Sequence, residues 1–194
     1  IALMRSIPNM VVLSPADCTE AIKMMLAISK TDSPVYMRLC GTTLIPMVYS
    51  EDYDFEIGKA VEIKKGEKIA LVATGVTMVS ETIKAADMLA DRLGIQCTVI
   101  NMHTIKPIDE ECIRRLAYTH EWIVSIEEHN VIGGLGSAIS EVICKEEHSC
   151  KQLFIGINDA NCKMGKRQYM LEQVGLTADS ICERVIQEVG EFND

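Results

Sequence analysis

The sequence predicts an α/β fold: a mainly parallel, open sheet of about five strands with helices on both faces. Three observations carry this expectation. β-rich runs alternate with helical stretches nearly to the end of the chain, joined by short loops, and that order builds parallel sheets covered by helices. Ile69 to Ala73 (IALVA) is an unbroken apolar run, as a strand buried on both faces requires. The helical stretches repeat apolar residues about every 3.6 positions, with charged residues opposite, so each has one face to offer a sheet.

The elements follow in order. Ile1 to Pro8 reads as the last turn or two of a helix stopped by Pro8. With Ile at position 1, the chain reads as a fragment whose beginning lies elsewhere. Met10 to Leu13 is a short β-rich run. Ser14-Pro15-Ala16-Asp17 reads as a helix start, with Ser14 as the cap and Pro15 in the first turn. That helix carries Ala21, Ile22, Met25 and Ile28 on one face and ends at Asp32-Ser33-Pro34. Val35 to Leu39 is the next strand. Residues 40–56 show no regular period and read as a linker and domain boundary. Lys59 to Ile63 is a half-exposed strand, and residues 64–67 are a solvated turn. After the buried run, Thr74-Gly75 opens a helix with Val79, Ile83, Ala86, Ala90 and Leu93 in line, closed by Gly94. Gln96 to Asn101 is a strand, and Asp109 caps a helix bearing Ile113, Leu116 and Ala117. Trp122 to Ile126 is a strand, and Gly133 to Ser137 leads into a helix with Ile139, Val142 and Ile143. Leu153 to Ile157 is the last strand, and Thr177 caps the last helix, with Ile181, Val185 and Val189.

Composition narrows the function. Nineteen basic against 28 acidic residues leave a net charge of −9, which argues against nucleic acid or an anionic membrane as partner. No apolar run approaches the ~20 residues of a membrane-spanning helix, and no secretory signal is visible. Eight cysteines stand at 18, 40, 97, 112, 144, 150, 162 and 182. None are two residues apart, so metal-knuckle spacing is absent. Reduced thiols in a cytoplasmic protein are the expectation.

Two glycine loops follow strands and open helices: Thr74-Gly75-Val76-Thr77, and Gly133, Gly134, Leu135, Gly136, Ser137. Each is either a tight turn with close packing or an anion or interface loop at a helix N-terminus. Neither matches a dinucleotide fingerprint or a phosphate loop. His129, after Glu127 and Glu128, is either a general acid or base with raised proton affinity or a structural hydrogen-bonding group. His103, His120 and His148 carry less. Lys163, Lys166 and Arg167 form a basic cluster, solvated or at a contact. No catalytic, cofactor-binding or metal-ligating set is legible from residues alone.

Five segments in series resemble one family. IALMRSIPNMVVLSPADCTEA, PVYMRL, FEIGKAVEIKKGEKIALVATGVTMVSE, VINMHTIKPID and IVSIEEHNVIGGLGSAISEVI resemble, in order, the end of the pyrimidine-binding domain, the linker and the C-terminal domain of transketolases, nearer to short or split forms. The resemblance implies residues 1–45 as the tail of the pyrimidine-binding domain, 46–56 as linker and 57–194 as the C-terminal domain. It implies a parent enzyme that moves a two-carbon ketol unit between sugars with thiamine diphosphate and Mg. The fragment itself is expected to carry no complete site for either. The expected partners are the remainder of the enzyme or a separate N-terminal subunit, within a homodimer, and a sugar substrate. Arg38 is the substrate-binding candidate, or else pairs with a carboxylate at the core edge, and Gly41 stands where the family places a phosphate-binding arginine. Alternatives are a β-type subunit of a 2-oxoacid dehydrogenase, a deoxyxylulose-phosphate synthase, or a non-catalytic anion-binding module.

Overall fold

The computed structural model describes residues 1–41, 45–147 and 150–190; His148 lies outside them. The elements are α1 (Ala2–Arg5), β1 (Val11–Leu13), α2 (Cys18–Ile28), β2 (Val35–Met37), β3 (Val61–Lys64), β4 (Lys68–Thr74), α3 (Val76–Leu93), β5 (Thr98–Asn101), β6 (Thr104–Lys106), α4 (Glu110–Thr119), β7 (His120–Asn130), α5 (Leu135–Ile143), β8 (Lys151–Ile157), α6 (Arg167–Gln173) and α7 (Ala178–Val189).

The main sheet has five strands in the order β3-β5-β4-β7-β8. Strands β4, β5, β7 and β8 run parallel, and β3 is antiparallel to β5. The apolar run of β4 lies at the centre. Its side chains alternate between two cores, as the pleat dictates. Ile69, Leu71 and Ala73 pack with Met78, Val79, Leu89, Ile181 and Val185, from α3 and α7. Ala70 and Val72 pack on the other face with Ile113, Leu116, Ile139 and Val142, from α4 and α5. Helices therefore cover both faces, as the sequence predicts.

Helix ends follow local chemistry. Gly94 ends α3 in the left-handed conformation, φ +69°, and donates its N–H to the Ala90 carbonyl at 2.9 Å. Asp109 and Thr177 cap α4 and α7 through their side chains.

Several expectations need correction. α2 starts at Cys18, with Asp17 as its cap accepting from the Glu20 N–H, so Ser14 and Pro15 precede the helix. Its buried side chains are Glu20 and Met24. Ile22, Met25 and Leu26 are 64%, 55% and 62% exposed. Of the apolar face that the sequence assigned to the core, Ala21 and Ile28 are partly buried, while Ile22 and Met25 face outward. Two elements have no sequence forecast, β6 and α6. β6 is only three residues long, and it pairs antiparallel with β1, which pairs parallel with β2 in a second sheet of order β2-β1-β6. That strand fastens the first forty residues to the rest of the chain.

Candidate functional site

The carboxyl ends of β4 and β7 meet the starts of α3 and α5, and the loops flagged in the sequence lie there. The two loops differ in what their amides face. The Leu135 and Gly136 N–H groups donate to Glu127 Oε2 and Oε1, at 2.7 and 2.9 Å. Glu127 is 1% exposed and thus serves as a built-in anion at the N-terminus of α5. Burial pushes its carboxyl up, against the pull of the two amides and Arg5. The glycines have packing reasons. A Cβ at Gly134 would lie 1.9 Å from Glu127 Oε2, and one at Gly136 would lie 2.3 Å from the Phe154 ring.

The same loop receives the N-terminal segment. Arg5 Nη1 donates to the Gly133 carbonyl at 2.8 Å, and its Nη2 pairs with Glu141 at 2.7 Å. Ser137 Oγ accepts from the Gly133 N–H at 2.9 Å. The geometry around Gly133, Gly134, Gly136 and Ser137 thus serves an internal carboxylate and a contact with α1.

His129 turns toward that contact. Nδ1 lies 2.7 Å from the Asn130 carbonyl, so it carries the proton, and Nε2 accepts from the Ala2 N–H at 3.4 Å. Burial lowers its pKa, the opposite direction from the raised proton affinity that the sequence suggests. Glu127 Oε2 lies 3.7 Å from Nδ1, but burial outweighs it and the Arg38 charge acts in the same direction as burial. His103 is also buried, with its pKa lowered to about 4 by burial.

The loop at Thr74–Thr77 differs. α3 has Gly75 as its cap position, with φ +90° and no side-chain cap. Beside it lies a cavity of about 240 Å³ lined by Ser14, Arg38, Cys40, Gly41, Thr74, Thr77, Glu128 and Arg167, among others. Arg38 Nη2 donates to the Glu128 carbonyl at 3.0 Å. Arg167 pairs with the Glu128 carboxylate and the Thr77 hydroxyl. Of the basic cluster, Lys163 and Lys166 stay exposed and only Arg167 turns inward. A Cβ at Gly41 would meet no atom within 4 Å, and the residue is not among the positive-φ glycines.

A second polar cluster escapes sequence reading. Glu20 is fully buried. It accepts from the Ala16 N–H at 2.6 Å, from Asn101 Nδ2 at 2.9 Å and from the Tyr53 hydroxyl. Burial pushes its carboxyl up. The one available signal is the Asp17-x-x-Glu20 spacing of a capping box, read in the wrong frame when Ser14 is taken as the cap. Asp17 itself also accepts from the Val48 and Tyr49 N–H groups, at 2.9 and 3.2 Å. Among the described residues, no group of three His, Cys, Asp or Glu converges as a metal site. None of their helices is long and apolar enough to cross a membrane.

Comparison with known proteins places this geometry. Residues 58–181 match the family model of the transketolase C-terminal domain. The chain is 38% identical over 192 residues to a 6-deoxy-6-sulfo-D-fructose transketolase subunit of Clostridium sp. strain MSTE9, covering 98% of this chain and 58% of that one. It is 32% identical to a 1-deoxy-D-xylulose-5-phosphate synthase of Caldanaerobacter subterraneus subsp. tengcongensis, covering 99% of this chain and 30% of that one. Among solved structures, a split-gene transketolase described as an inactive beta4 tetramer superposes with a TM-score of 0.88 at 36% identity, covering 99% of this chain and 61% of that one. The chain therefore spans about three-fifths of the length of the transketolase subunits it matches. With the family match and the superposition in agreement, the chain belongs to the transketolase C-terminal domain family.

Proposed function

We propose that this chain is the C-terminal part of a split-type transketolase subunit. Its parent moves a two-carbon ketol unit from a ketose to an aldose. The observation that carries the reading is the end-to-end likeness to the split-gene transketolase chain, at a length of about three-fifths of it. In this reading residues 1–45 are the tail of the pyrimidine-binding domain, 46–56 the linker and 57–194 the C-terminal domain. The exposed Ile22, Met25 and Leu26 of α2 are where the remainder of the pyrimidine-binding domain packs.

The described residues do not fit thiamine diphosphate or its metal. They gather no metal-holding group, and the sequence contains no Gly-Asp-Gly. Both belong to the remainder of the parent or to a separate N-terminal subunit, so no catalytic step is assigned to residues of this chain. Their work is structural: they present Arg38 to the sugar and supply a surface for a homodimer. Eight free cysteines support a cytoplasmic setting.

The test is reconstitution. Ketol transfer is measured with thiamine diphosphate and Mg²⁺ for this chain alone and for the chain combined with the remaining subunit or domains. Activity is expected only in the combination, and activity of the chain alone overturns the reading. The 32% identity to a synthase supports one second reading, and formation of 1-deoxy-D-xylulose 5-phosphate in place of ketol transfer by the same combination selects it.

A further inference from the structure

We infer that Glu20 is a proton-binding site that ties the hold of the 46–56 segment to pH: closing the segment over Glu20 takes up one proton, and the segment loosens as pH rises. Glu20 stands on α2, yet its partners come from three stretches of chain. Its oxygens accept from the Ala16 N–H at 2.6 Å and from Asn101 Nδ2 of β5 at 2.9 Å. The segment supplies the Tyr53 and Tyr49 hydroxyls, at 2.5 and 3.4 Å. The two tyrosine rings lie side by side, centroids 4.3 Å apart, and Glu20 is 0% exposed.

None of these partners is a cation. An ionised carboxyl buried without a counter-charge is costly, and such a group keeps its proton instead. Burial pushes the Glu20 carboxyl up against the pull of its hydrogen bonds, and Asp17, one turn back on α2, pushes the same way. Lys23, one turn on, is taken by Asp52 and the Tyr53 carbonyl. Burial and Glu20 itself push the Tyr49 and Tyr53 hydroxyls up, so neither ionises in the physiological range. β5 contributes the uncharged Asn101, and His103 beyond it packs on Phe55 with its pKa lowered to about 4 by burial. A neutral Glu20 has somewhere to donate, because both tyrosine oxygens accept as well as donate. Asn101 Oδ1 is a further buried acceptor without a donor.

The sign follows from linkage. With the segment open, water reaches Glu20 and its carboxyl returns to its ordinary value near 4.5. The closed form holds the proton to higher pH. Closure is therefore fully supported below that pH and loses support as pH rises through the closed-state value, by up to about tenfold per pH unit. Asp17 acts in the opposite sense, since a proton there frees the Val48 and Tyr49 amides.

The test is hydrogen exchange of the purified chain, read by mass spectrometry between about pH 4.5 and pH 8 and corrected for the intrinsic rate so that it reports opening. Peptides over 46–56 are expected to open ahead of those of β4. Their opening constant should rise with pH, by up to about tenfold per unit, and then level. Glu20→Gln should make it independent of pH, whereas Glu127→Gln should leave the slope unchanged. Tyr53→Phe keeps the carboxyl and removes a donor to its charged form, so the levelling should move to higher pH. Four results overturn the inference: a wild-type opening constant that is flat or falls as pH rises, a slope that survives Glu20→Gln, a levelling that moves down in Tyr53→Phe, or a segment that opens only together with β4. The wild-type and Tyr53→Phe measurements decide it even if Glu20→Gln fails to fold. The experiment needs neither thiamine diphosphate nor a partner subunit, so its failure leaves the ketol-transfer reading standing, and the converse also holds.

Discussion

Gly134→Ala isolates the contact that fills the N-terminus of α5. Gly134 has φ −85° and ψ −146°. The new Cβ would lie 1.9 Å from Glu127 Oε2 and 2.6 Å from its Cδ. Glu127 is buried, so the carboxylate must leave its place and lose the Leu135 and Gly136 N–H groups together. Hydrogen bonds to a charged group contribute about 1.5–3 kcal/mol each, so the loss is roughly 3–6 kcal/mol. A chain of this size loses about 2–4 °C of melting temperature per kcal/mol, which gives a fall of about 6–24 °C by calorimetry. Glu127→Gln keeps the shape but turns an NH₂ toward one amide, costing about 1–3 kcal/mol. Because both changes break the same contact, the double variant should be less damaging than the two combined. The pH dependence has a definite sign. Burial raises the folded carboxyl above its unfolded value near 4.5, so the folded state holds the extra proton. Stability should fall as pH rises from there through the folded value, and Glu127→Gln should flatten that slope. A Gly134→Ala protein melting within about 2 °C of wild type, or strictly additive variants, would refute the reasoning.

Other outcomes can be checked alongside. Denatured, unreduced protein should take eight alkyl labels. In native protein Cys18, Cys144 and Cys162, all exposed, should label before Cys97 and Cys112, whose thiols burial pushes up to about 12 and about 11. In an active parent enzyme, Gly41→Arg should raise kcat/KM for phosphorylated over unphosphorylated ketoses about ten- to a hundredfold, since a Cβ there meets nothing. A wild-type parent that already prefers the phosphorylated sugar by orders of magnitude would show that another residue binds the phosphate. Glu20→Ala strips the acceptor from Ala16 N–H, Asn101 and Tyr53, and should cost about 3–5 kcal/mol in urea unfolding. A cost below about 1 kcal/mol would mean that water replaces the carboxylate.

What is legible in the sequence follows from periodicity. The IALVA run and the 3.6-residue repeats of α3, α4, α5 and α7 place the sheet and its two helical layers, because burial alone dictates those patterns. β6 is not legible. Thr104 to Lys106 is a strand only because β1, ninety residues earlier, offers an edge. The α2 start is misread because Ser14-Pro15 is a sound local signal that loses to Asp17, whose carboxylate also ties down Val48 and Tyr49. The two glycine loops read alike in sequence. Only the fold shows that one faces Glu127 while the other faces a cavity with Arg38 and Arg167. Charge partners distant in sequence leave no local pattern to read.

The contacts between the first 56 residues and the rest bear on motion. A hinge in the 46–56 segment would look natural from its irregular sequence. Yet Asp17 holds the Val48 and Tyr49 amides, Glu20 holds Tyr53 and, from β5, Asn101, and β6 pairs with β1. At the far end Arg5 grips the Gly133 carbonyl. Swinging the two parts apart would break these four hydrogen bonds, each with a net contribution of about 0.5–1.5 kcal/mol. With the strand pairing added, the loss is roughly 4 kcal/mol, which leaves an open form populated at about one in a thousand. The segment is therefore a strap and not a hinge. Any conformational change of the chain should then be carried by smaller units, such as the Arg167–Glu128 pair at the rim of the β4–β7 crevice, whose rearrangement strips no fully buried carboxylate of its partners.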